Sequence, residues 1–301
     1  MASGEPLETH VASVALRAPV MTASGTAGHG TELGAYGPLA ELGAVVVKSL
    51  AAFEWPGNPG TRVHGVPGGS MVNSVGLEGP GVAAWRARDL GPLLSTGAAV
   101  VASIWGRSPE EYAQAAAALR GARGVVAIEV NVSCPNLDGH LIARSAASTA
   151  EAVEAAGAAG MARWAKLSPN VPDLVEIAGA ALGAGAEALT LINTLFAMSL
   201  DIEGVRPPLS GGLSGPALHP VAVRAVYECR RAFPDAGIVG VGGVSSGREA
   251  LALLMAGADA VQVGTATFAD PRAPWKVQAE LTAWCREHGT TVREVVGAAL
   301  R

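Results

Sequence analysis

Cys134 lies in the stretch VVAIEVNVSCPN (125–136), where an apolar run gives way to polar and turn-forming residues. Val125, Val126, Ala127, Ile128 and Val130 have the composition of a strand buried on both faces. Pro135 cannot donate to a sheet ladder, so the strand ends near Cys134 and sets a reactive side chain at its exit. Other apolar runs end in groups of similar promise. Lys48 and Lys166 each follow one, and a buried lysine is costly unless paired, which points to an anionic ligand. Further runs end at Ser24, Ser49, Ser103, Asn131, Asn193 and Thr194. The last two end in Gly242-Gly243 and Gly264-Thr265. Glycines there let backbone N–H groups approach a phosphate, helped by the positive end of a following helix. The cofactor should therefore carry a phosphate; the alternative is a pair of tight turns without ligand.

Such groups form one site only if the runs that carry them are parallel strands opening on one face. Eight short apolar runs recur: PVMTAS (19–24), AVVVKS (44–49), AAVVASI (98–104), VVAIEVNVS (125–133), RWAKLS (163–168), EALTLIN (187–193), GIVGVGG (237–243) and AVQVGT (260–265). Amphipathic stretches such as PEEYAQAAAALRG and PVAVRAVYECRRAF separate them. Strand and helix alternating in this way predict an α/β chain folded as a (β/α)8 TIM barrel, with active-site groups at the carboxyl ends of the strands. An open doubly wound sheet is the runner-up. VASVALRAP (11–19) reads as an N-terminal surface hairpin or barrel plug. Segments 51–90 and 196–216 are too long for barrel turns and rich in Gly and Pro, so they are expected to be active-site lids or walls. No linker or low-complexity tail interrupts the chain, and residues 1–301 read as a single domain.

Composition removes several classes of function. A net charge of −5 without any basic cluster argues against nucleic acid. No apolar run is long enough to span a membrane, and the first residues, MASGEPLETH, lack a signal-peptide design. Three cysteines without metal-ligand spacing suit a reduced cytoplasmic setting; Cys229 and Cys285 fall in helical patterns as ordinary packing residues. His29, His64, His140 and His219 show no metal-site spacing and read as surface or loop residues.

Over nearly its whole length the chain resembles the class 1 dihydroorotate dehydrogenases. The motifs that carry the resemblance occur in order: ASGTAG (23–28), VKSL (47–50), GNPGTR (57–62), NSVGL (73–77), NVSCPN (131–136), KLSPN (166–170), LTLINT (189–194), GGLSGPAL (211–218), GVGGV (240–244) and AGADAVQVGTA (256–266). LTLINT, KLSPN and GGLSGP look most like subclass 1B. The resemblance implies an FMN-dependent oxidation of dihydroorotate to orotate in pyrimidine biosynthesis, with a (β/α)8 fold. Cys134 would be the general base, since a thiol with an ordinary pKa of about 8.5 can be tuned to that task. Lys48, Asn73, Ser74, Val75, Gly76, Leu77, Asn131, Asn193 and Thr194 would bind substrate. Ser24, Lys48, Ser49, Ser103, Asn131, Lys166, Ile192 and Gly215 would line the flavin, and Gly242, Gly243, Gly264 and Thr265 would hold its phosphate. Subclass 1B also implies an iron–sulfur, FAD-containing electron-transfer subunit, in a homodimer or heterotetramer.

Three departures from the subclass pattern accompany the match. Ser103 stands where the subclass has an asparagine, the segment LDGHLIARSAAS lacks a Gly-rich loop with Phe-Gly, and EGVRPPLSGGLSG is shorter than usual. They motivate the alternative of an FMN oxidoreductase paralogue acting on another cyclic amide or unsaturated carbonyl. A reading from another class is a flavin-binding scaffold subunit without turnover.

Overall fold

The computed structural model describes residues 7–133, 145–205 and 207–301. Eight parallel strands make the central sheet: β3 (Val20–Thr22), β4 (Val45–Val46), β7 (Val100–Ile104), β8 (Val125–Asn131), β9 (Arg163–Leu167), β10 (Ala188–Leu191), β13 (Gly237–Val241) and β14 (Ala260–Val263). Hydrogen bonding runs β3-β14-β13-β10-β9-β8-β7-β4, so each strand neighbours the next central strand in the chain. The two ends of this order meet. Gly43 N–H donates to Val20 O at 2.8 Å, Thr22 N–H to Ala44 O at 3.3 Å, and Val46 N–H to Thr22 Oγ1 at 2.8 Å. A Cβ at Gly43 would stand 2.1 Å from Ala18 O, so only glycine permits this seam. The result is the (β/α)8 barrel predicted from the eight apolar runs.

Helices cover the outside. Among them α3 (Pro109–Ala117), α5 (Leu174–Gly183), α6 (His219–Ala232), α7 (Gly247–Ala256) and α9 (Ala273–Glu287) turn apolar faces onto the strands. Their starts follow the chemistry of N-caps: Ser108 accepts from Glu111 N–H, and Asp173 accepts from Val175 and Glu176. Cys229 on α6 and Cys285 on α9 are fully buried helix residues, and burial pushes the Cys229 thiol up to about 12.

Inside the barrel, alternate residues of each strand point at one another. The lower layers are apolar: Met21, Val46, Val101, Ala127, Trp164, Ala188, Val239 and Ala260. Val11, Val14 and Leu16 join that cluster from an antiparallel hairpin, β1 (Thr9–Val11) with β2 (Val14–Leu16). The N-terminal segment is thus both hairpin and plug. It closes the amino ends of the strands and leaves the carboxyl ends open.

The two long segments prove to be one structure. β5 (Val63–Val66), β6 (Ser70–Asn73), β11 (Leu195–Ser199) and β12 (Leu209–Ser214) form an antiparallel sheet in the order β11-β12-β6-β5. Gly211 and Gly212 allow that pairing, because a Cβ on either would lie about 2 Å from Asn73 O or from Thr194 Oγ1. This sheet stands beside the barrel mouth and supplies one wall of the cavity there. Among the described residues no helix is long and apolar enough to cross a membrane.

Candidate active site

A cavity of about 580 Å³ opens at the carboxyl ends of the strands. At one end its lining is Gly215, Gly242, Gly243, Gly264 and Thr265; at the other it is Lys48, residues 73–77, Asn131, Asn193 and Thr194. Ser24, Ser49, Lys166 and Ile192 lie on its wall as well. Nearly every residue that the sequence pointed to is therefore on one cavity. Two are not. Cys134 lies outside the described residues, together with His140. Ser103 is fully buried, and its hydroxyl shares a hydrogen bond with that of Ser49 at 2.9 Å, so it touches the site through Ser49.

The polar end is a connected network. Asn193 Nδ2 donates to Asn131 Oδ1 at 3.1 Å, and Ser133 N–H donates to the same oxygen at 3.2 Å. Asn131 Nδ2 in turn donates to Ser49 Oγ at 3.2 Å, and Ser49 and Ser24 share a bond of 3.2 Å. Asn193 Oδ1 accepts from Thr194 N–H at 2.8 Å. Tyr112 of α3 is buried beneath β8, and its hydroxyl donates to Asn131 O at 2.7 Å. On the opposite wall Asn73 Nδ2 donates to Gly212 O at 3.2 Å, which ties β6 to β12. Leu77 adopts φ +62 after Gly76 at φ +77. A leucine in the left-handed region is a strained conformation, of the kind that collects at ligand-binding walls.

Charge at this end is shared among residues whose roles the sequence did not separate. Burial pushes the Lys48 amine below its ordinary value; Glu78 draws it back up and Arg62 pushes it further down. Arg62 and Glu78 form an ion pair, and both line the cavity. His29 lies in a loop, as expected, but it lines up against the site's charges. It is half-buried, and burial first, then the nearby Lys48 cation, hold its imidazole below 6.5. His64 is likewise buried, on β5. His219 shares a hydrogen bond between Nδ1 and Gly242 O at 3.0 Å. Asn58 and Arg62 stand in GNPGTR, which was legible as a motif though not as a wall of the site. Asn58 Nδ2 donates to Ser74 Oγ at 2.9 Å, bracing the 73–77 segment. Asn170 was missed too: its Nδ2 donates to Ser168 Oγ and Thr194 O, both at 2.8 Å.

At the glycine end one expectation changes. The start of α7 is already served by carboxylates: Glu280 accepts from Gly247 N–H at 2.6 Å and Glu249 from Ser245 N–H at 3.1 Å. The first N–H of α7 is therefore already engaged by Glu280, and the Gly242-Gly243 and Gly264-Thr265 backbone is the nearer candidate cradle.

The model for the family described as "Dihydroorotate dehydrogenase" matches residues 6–284. A protein of Desulforudis audaxviator, "Dihydroorotate dehydrogenase B (NAD(+)), catalytic subunit", is 46% identical over 299 residues, covering 97% of this chain and 96% of its own. Proteins of the same description from Trichlorobacter lovleyi and a Geobacter species are 42% and 41% identical, covering 97% and 96% of this chain and 98% and 96% of their own. With barrel, cavity and motifs in register over nearly the full length, this chain belongs to the dihydroorotate dehydrogenase family.

Proposed function

We propose that this protein oxidises dihydroorotate to orotate with FMN in the cavity at the barrel mouth, as a cytoplasmic enzyme of pyrimidine biosynthesis. The observation that carries the reading is the division of one cavity into a glycine-lined end and an amide- and lysine-lined end. The cavity suits the cofactor. About 580 Å³ is within the range of sites for molecules of this size. Gly243 (φ +68) could carry no side chain there, because a Cβ would sit 2.7 Å from His219 Cβ and 2.8 Å from Gly215 O. Bare backbone therefore faces the space where a phosphate would lie.

FMN, when bound, supplies the acceptor for the hydride that leaves C6 of the substrate. Gly242, Gly243, Gly264 and Thr265 would hold its phosphate, and Ser24, Ser49, Ile192 and Gly215 would line its ring system. Lys166 would face the part of the ring that gains negative charge. The protein's own work is to bind, orient and deprotonate. Asn73, Asn131 and Asn193 present amide donors and acceptors matched to a cyclic imide and a carboxylate, and the bonds of Asn193 to Asn131 and of Asn73 to Gly212 O fix which atom each presents. Lys48, a partly desolvated cation, would balance the substrate carboxylate. Cys134, next to this network in the chain, would take the C5 proton; a positioned base is worth about 10²–10⁴-fold in rate.

The relatives' description as a catalytic subunit supports a partner that carries electrons away, of the iron–sulfur and FAD type. Phe196, Met198, Leu200 and Ile202 are exposed apolar residues beside the mouth, and a patch of that kind suits a protein interface. The test of the central reading is anaerobic mixing of the FMN-loaded protein with dihydroorotate. Rapid loss of the visible flavin absorbance, slowed by about 10²–10⁴-fold in Cys134→Ser, is the expected result. Bound FMN that is not bleached would overturn it.

A further inference from the structure

One ionisable group in the barrel has no part in the chemistry described so far. Glu129 is fully buried, in the middle of β8, and points into the barrel just below Asn131. A carboxylate at that depth is unfavourable unless other groups meet it. Gln262 of β14, also fully buried, donates through Nε2 to Oε2 at 2.7 Å. The other oxygen, Oε1, has no hydrogen-bond partner among the described residues; its neighbour is Lys166 Nζ at 3.6 Å. Lys166 lies on the next strand, in register with Asn131, and lines the cavity that the carboxylate does not reach. At 3.6 Å the ammonium is near enough for charge attraction and too far for a hydrogen bond. It stands between an anion below and the cavity above, committed fully to neither.

We propose that Glu129 is a positioning residue that limits how much of the Lys166 charge reaches a flavin in the cavity, and so sets its reduction potential. The inference rests on the functional reading above. A cation beside the ring favours the reduced state, because reduction adds negative charge there. A cation with no counter-ion would favour it too well and slow the onward passage of electrons. Glu129 offsets that by holding part of the attraction, and Gln262 keeps the carboxylate from closing onto Lys166 altogether.

The two partners then make opposite predictions. Glu129→Gln keeps the side-chain shape and removes the anion, so Lys166 acts more fully on the flavin. The reduced-to-oxidised ratio at a given potential should rise at least tenfold, a shift of about +30 mV for a two-electron couple. Gln262→Leu keeps the charge and removes the donor at Oε2, so the carboxylate moves onto Lys166 and the potential should fall. The measurement is the midpoint potential of the FMN-loaded protein, by spectral titration against a reference dye, for the unmodified chain and both variants. A residue that merely stabilised the barrel would alter melting temperature and leave the potentials alike, or move both in one direction. Equal potentials in a variant that holds FMN overturn the proposal, and if Glu129→Gln does not fold, the sign for Gln262→Leu decides it. A protein that binds no FMN overturns the functional reading instead, and this inference with it.

Discussion

Asn193 donates to Asn131 across the barrel mouth, Nδ2 to Oδ1 at 3.1 Å, from strand ends 62 residues apart in the chain. The bond settles both amides. With its oxygen facing Asn193 and Ser133 N–H, Asn131 turns its nitrogen to Ser49, and Asn193 keeps its own oxygen on Thr194 N–H. A ligand in the cavity meets donors and acceptors that are already fixed, which lowers the ordering needed on binding.

Asn193→Ala removes the brace on Asn131 and, in the proposed role, one substrate contact. A hydrogen bond to a charged ligand is worth about 1.5–3 kcal/mol, so kcat/KM for dihydroorotate should fall by about tenfold to a hundredfold. Asn193→Asp should fall further, since it places an anion against an anionic substrate. Steady-state kinetics of the two variants check the order; equal activities would show that the amide does not meet the substrate.

How much of this was legible beforehand depended on range. The barrel strands were visible because a parallel strand buried on both faces must be apolar throughout, and each run ended at the same structural level. The sheet over the mouth was not. LSGGLS of β12 pairs with SMVN of β6 across about 140 residues, and neither short segment carries a pattern that announces its partner. His64 read as a surface or loop residue and is instead buried on β5 of that same sheet. Glu129 was visible in principle: a carboxylate inside VVAIEVN signals a buried partner, but its partners Gln262 and Lys166 are set by barrel closure alone.

Lys48 should give the site a pH limit. Burial lowers its pKa from 10.5, with Glu78 raising it and Arg62 lowering it further. In the role proposed for it the ammonium attracts the orotate carboxylate, and that attraction disappears as pH rises through the lowered pKa. Orotate affinity should therefore weaken on the alkaline side before an ordinary lysine titrates, and Lys48→Met should bind weakly without that limb. Fluorescence titrations with orotate across the alkaline range check this; constant affinity up to the titration of free lysine would remove Lys48 from carboxylate recognition.

The far end of the barrel depends on one ion pair. Arg230 Nη2 lies 2.9 Å from Asp259 Oδ2, while the same guanidinium donates to the carbonyls of Gly257, Pro234 and Ala236. Asp259 also accepts from Ile238 N–H, and burial holds its carboxyl above the usual range even beside Arg230. Arg230→Met takes the cation from that acid and the donor from three carbonyls. Removing one partner of a fully buried pair costs about 3–5 kcal/mol; here the side chains are 12% and 20% exposed, which lowers the cost, and the denaturation midpoint should still drop. FMN content and kcat per folded molecule should stay the same, because the pair lies at the amino ends of β13 and β14.

Leu16 tests whether the N-terminal hairpin is part of the core. Its side chain is 2% exposed and packs with Met21, Val46, Val101 and Trp164 at the closed end of the barrel. The hairpin packs directly on the lowest apolar layer and helps keep water from it. Truncating a buried leucine to alanine costs about 2–5 kcal/mol, the upper part of that range applying where neighbours cannot collapse into the space. The rigid ring of strands gives little freedom for such collapse. Leu16→Ala should therefore lose about 3 kcal/mol or more in urea unfolding while retaining FMN. A loss below about 1 kcal/mol would mean that the hairpin is a surface ornament and that the barrel layers above it are closed by themselves.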